Sequence, residues 1–353
     1  MKSTPSRAST PLLAVAGAFA IVYVVWGSTY LVIKFAIETI PPFTMAGVRL
    51  VTAGIVLFAL TRSKVQSPIT GRQWLSAAVI GCLMLVGGNG LVTWAEQTVP
   101  SGQAALMIAT TPLWFGSLDW LLFGGPRPTI AITVGIVIGL IGIYILIGPA
   151  NIEGAPVDPK GGIALVLACF FWTLGSLQSK RADLPKSAFV TTAMEMLTGG
   201  AVLTIIGIAV GEWSRIDVGA ISLKSWLSFA YLVLFGSIVA LSAYVWLLQV
   251  STPAKVSTYA YVNPVIAVFL GSLLGDEVLT PRVWVAVSII IPAVLLITTS
   301  KRATAKTAEV GNEAEPVLAT TLIRTCDELR EDVEIAREDR SKQPDACCCG
   351  ERG

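Results

Sequence analysis

The sequence predicts an all-α integral membrane protein with ten transmembrane helices arranged as two inverted five-helix repeats. Three observations carry this expectation. Of 353 residues, 54% are hydrophobic and 14% charged, with a mean hydropathy of +0.72, whereas a soluble chain carries roughly a quarter charged residues. The charges fall between long apolar runs, and ten spans of about 20 residues each fit into the apolar part of the chain with short loops left over. Finally, the stretch opening at Trp26 recurs 146 residues later, setting Trp26 on Trp172, Lys34 on Lys180, Thr52 on Thr198 and Gly54 on Gly200. A weaker echo at a shift of 152 sets Trp94, Gln97 and Pro112 on Trp246, Gln249 and Pro264. An odd number of spans per copy makes the second copy enter the bilayer in the opposite sense, and inverted repeats of this kind build carriers.

The spans are read in order. Residues 1–11 hold Lys2 and Arg7 and are read as a cytoplasmic N-terminus. The apolar run 12–33 continues through Trp26 and Tyr30, too long for a signal-peptide core, and is a retained first span. Pro41 and Pro42 break the chain before span 2 (43–60), which carries Arg49. Span 3 (74–94) contains the small, polar run GGNG at 87–90, and span 4 (103–123) has Pro112 at its middle. Span 5 (130–147) places Gly135 and Gly139 in a GxxxG, a face for close helix packing.

A Gly, Pro, Asn and Asp-rich linker (149–161) separates the first repeat, 12–148, from the second, 162–300. Spans 6 (162–177), 7 (188–210, with Glu195 inside), 8 (226–248), 9 (257–274, with Pro264) and 10 (284–297) follow, with a longer loop at 211–225. Counting Lys and Arg on alternate sides gives twelve against five, which places both termini in the cytoplasm of a plasma-membrane protein.

The net charge of +2 hides a split. Residues 1–302 carry 18 basic and 11 acidic side chains, and residues 303–353 carry 7 and 12. The positive excess lies in loops where topology demands it, so nucleic acid is not an expected partner. The region 301–353 is polar, acidic and read as a disordered cytoplasmic tail in which 315–340 forms at most a surface helix. Cys82 and Cys169 lie in apolar spans, while Cys326, Cys347, Cys348 and Cys349 lie in that tail. A reducing compartment argues against disulfides. With no histidine and no paired CxxC, no metal site or cofactor is expected, although the triple Cys is open to acylation or metal binding.

The stretches WGSTYLVIK, PPFTMAGVRL, VPSGQAALMIATTPL and STYAYVNPVIAVFLG resemble the EamA family of the drug/metabolite transporter superfamily, and within it a group of bacterial inner-membrane permeases. The resemblance runs over nearly all of residues 10–300. It implies two EamA domains, ten spans and export of small metabolites or drugs, and leaves the substrate open.

A carrier's site is expected near the midplane at the repeat interface, where broken helices offer backbone groups. Pro112 and Pro264 are the matched kinks, each freeing a carbonyl one turn earlier, near Ile108 and Ala260, with Thr111 and Asn263 beside them. Trp26 with Ser28, and Trp172 with Ser176, sit within spans 1 and 6 and are candidates for the cavity wall, against packing as the ordinary role of such aromatics. Tyr259 and Asn263 share a face of span 9, Tyr244 on span 8 is able to join them, and Asn89 adds an amide from the GGNG run. Together these describe an aromatic, weakly polar pocket without a dominant charge, suited to neutral, zwitterionic or hydrophobic solutes.

Arg49 and Glu195 are the charges deepest in the spans, each costing about 2.5–3.5 kcal/mol at a helix centre. They coincide under the 146 shift, so symmetry offers a meeting across the pseudo-twofold axis, with structural, gating or proton-coupling roles open. Without histidine, proton coupling falls to a carboxylate such as Glu195. Asp119 and Glu96 read as interfacial, Lys34 and Lys180 as helix C-terminal charges complementing the dipole. No P-loop, HExxH or GxSxG occurs, which argues against ATP-driven transport and intramembrane hydrolysis. The function expected is secondary transport by alternating access. A sensor signalling through the tail, import of the same solutes and a homodimer through the Gly135 face remain as alternatives.

Overall fold

The computed structural model describes residues 12–62, 68–125, 127, 129–147, 157–251, 256, 258–293 and 295–296. The N-terminus 1–11, most of the linker 149–161 and the tail with its cysteines lie outside them. Among the described residues all regular structure is helical, with seven helices long and apolar enough to cross a membrane and three shorter apolar ones. The helices are α1 (Leu12–Ile37), α2 (Pro42–Thr61), α3 (Gly71–Ala95), α4 (Ser101–Phe123), α5 (Ile130–Ile147), α6 (Pro159–Ser179), α7 (Ala188–Ala209), α8 (Leu223–Val250), α9 (Tyr259–Leu274) and α10 (Pro281–Ala293). Side chains such as Ile55, Leu75, Leu121, Ile141, Ile205 and Phe269 are exposed on the outside, the pattern of a surface solvated by lipid tails.

Several boundaries differ from the sequence reading because polar residues cap helices earlier than hydropathy begins. Thr70 and Gln73 form a reciprocal capping box that starts α3 ahead of Trp74. Asp158 accepts from the Gly161 N–H and starts α6 inside the expected linker. Ser222 does the same for α8 through the Ser225 N–H. The loop before α8 is not featureless: it holds two 3₁₀ turns, Trp213–Arg215 and Val218–Ala220.

Two helices lack their own caps and borrow them. α2 and the first half of α4 start after Pro41 and Pro100, neither of which offers a side-chain acceptor. Glu212, in the loop after α7, accepts from the Phe43 and Thr44 N–H groups and the Thr44 hydroxyl. Glu277, after α9, accepts from the Ser101 and Gly102 N–H groups and from Lys34 Nζ at 2.8 Å. Each carboxylate satisfies orphan donors and complements a positive helix end.

The two halves lock together through α2 and α7. Gly47 lies against Thr204, Gly54 against Leu197, Gly200 against Val51 and Gly207 against Thr44, so the residue numbers in every pair add to 251. As one helix ascends the other descends, and these are equivalent helices of the two repeats. The remaining packing has the same exchange symmetry: α1 packs on α8 and α9, and α6 packs on α3 and α4. Two glycines of α5 pack within the chain, Gly139 against Leu113 and Gly142 against Ile290 of α10.

Candidate functional site

Irregular backbone marks where the site is built. α3 widens into a π-helical stretch at Cys82–Gly90, and α8 does so at Leu232–Leu241, the corresponding place in the second repeat. Such stretches carry looser backbone hydrogen bonding and are frequent at functional sites. α4 is divided between Ile108 and Thr111, with Pro112 in the first turn of its second half. The carbonyls freed there do not point bare into a cavity: Met107 accepts from the Thr110 hydroxyl and Ile108 from the Thr111 hydroxyl. Pro264, by contrast, lies inside an uninterrupted α9. The two matched prolines therefore act differently, one at a break and one in a continuous helix.

Between these segments lies a cavity of about 100 Å³. Trp26, Asn89, Thr111, Trp172, Tyr259 and Arg49 line it. The rings form one cluster: Trp26 is 5.6 Å from Trp172 edge to face, 4.9 Å from Tyr244 and 5.4 Å from Tyr259, with Tyr244 5.6 Å from Trp172. Edge-to-face and tilted geometries at these distances are the favourable ones for π systems. Tyr244 and Ser176 stand behind the wall, with their hydroxyls 3.3 Å apart and Ser176 also donating to the Trp172 carbonyl. Trp26 donates to the Gly236 carbonyl at the π stretch of α8.

Two expected site residues lie elsewhere. Ser28 donates to the Val25 carbonyl and meets the Tyr231 hydroxyl at 2.8 Å, tying α1 to α8 outside the cavity. Asn263 is buried, and with its amide oriented to suit its neighbours it donates to the carbonyls of Tyr23 and Tyr259, so it pins α9 to α1.

Arg49 and Glu195 do not meet. The register that adds to 251 leaves this pair seven positions out of step, about 10 Å along the helix axis at 1.5 Å per residue. Arg49 instead faces the cavity and donates to Asn89 Oδ1 at 2.9 Å. The pocket thus contains a cation, against the expectation of a lining without dominant charge. Glu195 is buried where α7 crosses α3 and its Oε1 has no partner. Glu96, directly after the end of α3, is also buried, with neither carboxylate oxygen hydrogen-bonded. Lys34 pairs with Glu277 across to α9, beyond a dipole role.

Tyr30, Thr29 and Ser237 also line the cavity and were not singled out from sequence. Tyr30 is one turn after Trp26, and the pair Gly236–Ser237 interrupts an apolar span as GGNG does in the first repeat, so the same rule would have reached them. Among the described residues no three His, Cys, Asp or Glu side chains gather to hold a metal ion.

With the geometry in place, comparison with known proteins decides the lineage. A profile of the EamA-like transporter family matches residues 12–148 and 159–299, one stretch for each repeat. The chain belongs to the EamA-like transporter family. It is 43% identical over 294 residues to the inner membrane transporter YedA of Escherichia coli (strain K12), covering 82% of this chain and 92% of the relative. It is 23% identical to the transporter YvbV of Bacillus subtilis (strain 168), covering 88% and 98%, and 26% identical to the protein PecM of Dickeya dadantii (strain 3937), covering 77% and 88%. A solved structure titled "Crystal structure of protein" superposes with a TM-score of 0.58 at 19% identity, over 83% of this chain and all of the other, a likeness of fold. In this EamA-like transporter both matched stretches line the aromatic cavity, Trp26 and Tyr30 from the first and Trp172 and Tyr259 from the second.

Proposed function

We propose that this chain is a secondary transporter that exports small organic solutes across the bacterial inner membrane by alternating access. In this reading α1–α5 and α6–α10 are ten spans in inverted topology, with both termini in the cytoplasm. The observation that supports it best is the convergence of Trp26 and Trp172, from equivalent helices of opposed repeats, on one cavity. A cavity shared by two oppositely oriented halves opens to one face or the other as the halves rock. The family and the YedA relative support transport and an inner-membrane site.

The solute docks on the faces of Trp26, Trp172 and Tyr259, within reach of Asn89 and Thr111. Glu195 carries the coupling proton: it is a buried carboxyl where α7 crosses α3, and its Oε1 has no hydrogen-bond partner. Reconstitution of the purified chain into proteoliposomes tests the reading. Flux of a radiolabelled solute pool that Trp172→Ala lowers severely supports it, and protein-independent flux for every solute class removes it.

A further inference from the structure

We propose that Lys34 is a two-position gate: it pairs with Glu277 as here, and it crosses to Glu96 when the end of the cavity between α1 and α3 closes. The exchange rests on the transporter reading only for its place in the transport cycle. In the present arrangement Lys34 Nζ lies 2.8 Å from Glu277 Oε1. Glu277 also accepts from the Ser101 N–H at 2.7 Å and the Gly102 N–H at 3.0 Å, so it keeps partners when the ammonium leaves. α1 packs on both α9 and α4, and the pair therefore joins elements that already touch.

Glu96 is the second acceptor. It is buried directly after α3, neither of its oxygens has a hydrogen-bond partner, and it lies within electrostatic reach of Lys34, Glu277 and Arg49. A buried carboxylate without partners costs free energy that a paired cation recovers. Arg49 is the poorer candidate, because it is buried and held at Asn89 Oδ1 at 2.9 Å. Lys34 has a flexible four-carbon stem, its side chain is 32% exposed against 8% for Glu277, and a cavity of about 230 Å³ lies against it. Tyr30 and Ile33 of α1 and Asn89 and Val92 of α3 line the aromatic cavity. Lys34 follows Ile33, and Glu96 stands one turn after Val92. A Lys34–Glu96 pair thus draws α1 to α3 over that end of the cavity. Each arrangement satisfies one carboxylate and releases the other, which makes two discrete states rather than a continuum.

Spin-label distances on the full chain in nanodiscs test this, with the native cysteines replaced and labels at Gln97, after α3, and Leu274, on the α9 that packs against α1. Glu277→Gln, which frees the ammonium, is expected to raise the short-distance population at least about threefold over the wild type. Adding Glu96→Gln to that variant is expected to bring it back, because Lys34 then has no second acceptor, and Lys34→Met does the same. A distribution that Glu277→Gln leaves unchanged overturns the proposal, and so does a shift that survives Glu96→Gln. Where Glu277→Gln fails to fold, Glu277→Asp, one methylene shorter, takes its place with the same expected order. Proteoliposome flux separates the two readings: flux with unmoved distances leaves the transporter standing without this gate, and the exchange without movement of any solute does the reverse.

Discussion

Trp26 and Trp172 open the two copies of the repeated stretch, 146 residues apart, and meet edge to face with ring centroids 5.6 Å apart. The repeat therefore converges on one point, and that point is the wall of the cavity. Replacing either indole by alanine is expected to reduce flux by about tenfold or more, while Trp172→Phe, which keeps a ring face, holds it within about threefold. Initial rates in proteoliposomes at matched protein content check this.

The α2–α7 crossing predicts a stability contrast. A Cβ at Gly200 would lie 2.8 Å from the Val51 backbone N, whereas a Cβ at Gly17 meets nothing within 4 Å. Gly200→Ala is expected to cost about 1–3 kcal/mol through forced separation of the helices. Gly17→Ala is expected to be neutral or slightly stabilising. Unfolding midpoints in mild detergent compare the two.

Glu277 sets an acid limit on stability. Burial pushes its carboxyl upward, but the Lys34 ammonium and the N–H groups of Gly102 and Ser101 outweigh that and hold it below the ordinary range. Because the folded value is the lower one, its contribution is full above the unfolded value of about 4.3 and is lost as pH falls through the folded value. Thermal midpoints should therefore hold from neutral pH to the ordinary carboxylate range and decline below it. In Glu277→Gln this part of the decline is absent, at a cost of about 1 kcal/mol near neutrality after allowance for the exposed side of the pair.

Glu195→Gln is expected to abolish uptake driven by a pH gradient into inverted vesicles and to leave binding of solute intact. Uptake whose pH dependence matches the wild type would remove Glu195 from the mechanism.

How much of this was legible in the sequence differs by residue. The helices follow from hydropathy, and the shared candidacy of Trp26 and Trp172 for the cavity wall follows from the repeat, whereas the contact between their rings comes from the packing alone. The separation of Arg49 from Glu195 was not legible, because the 146 shift says which residues are equivalent, and the packing register of two antiparallel helices says which are opposite. The caps on α2 and α4 were hidden for another reason: Glu212 lies 168 residues from Thr44, and Glu277 lies 176 from Ser101. The two prolines looked alike because sequence records the ring and the missing N–H. Whether a helix breaks there depends on neighbours such as Thr110 and Thr111 that take up the freed carbonyls.

The central claim is that two oppositely oriented halves share the cavity, and cysteine labelling in a cysteine-free background tests it most directly. Single cysteines at Thr98 and Ser214 should react with an impermeant maleimide added outside intact cells, while those at Thr70 and Arg181 should react only after the membrane is opened. Labelling of Thr70 and Arg181 on opposite faces would mean that the halves run in the same sense, and the account would be contradicted.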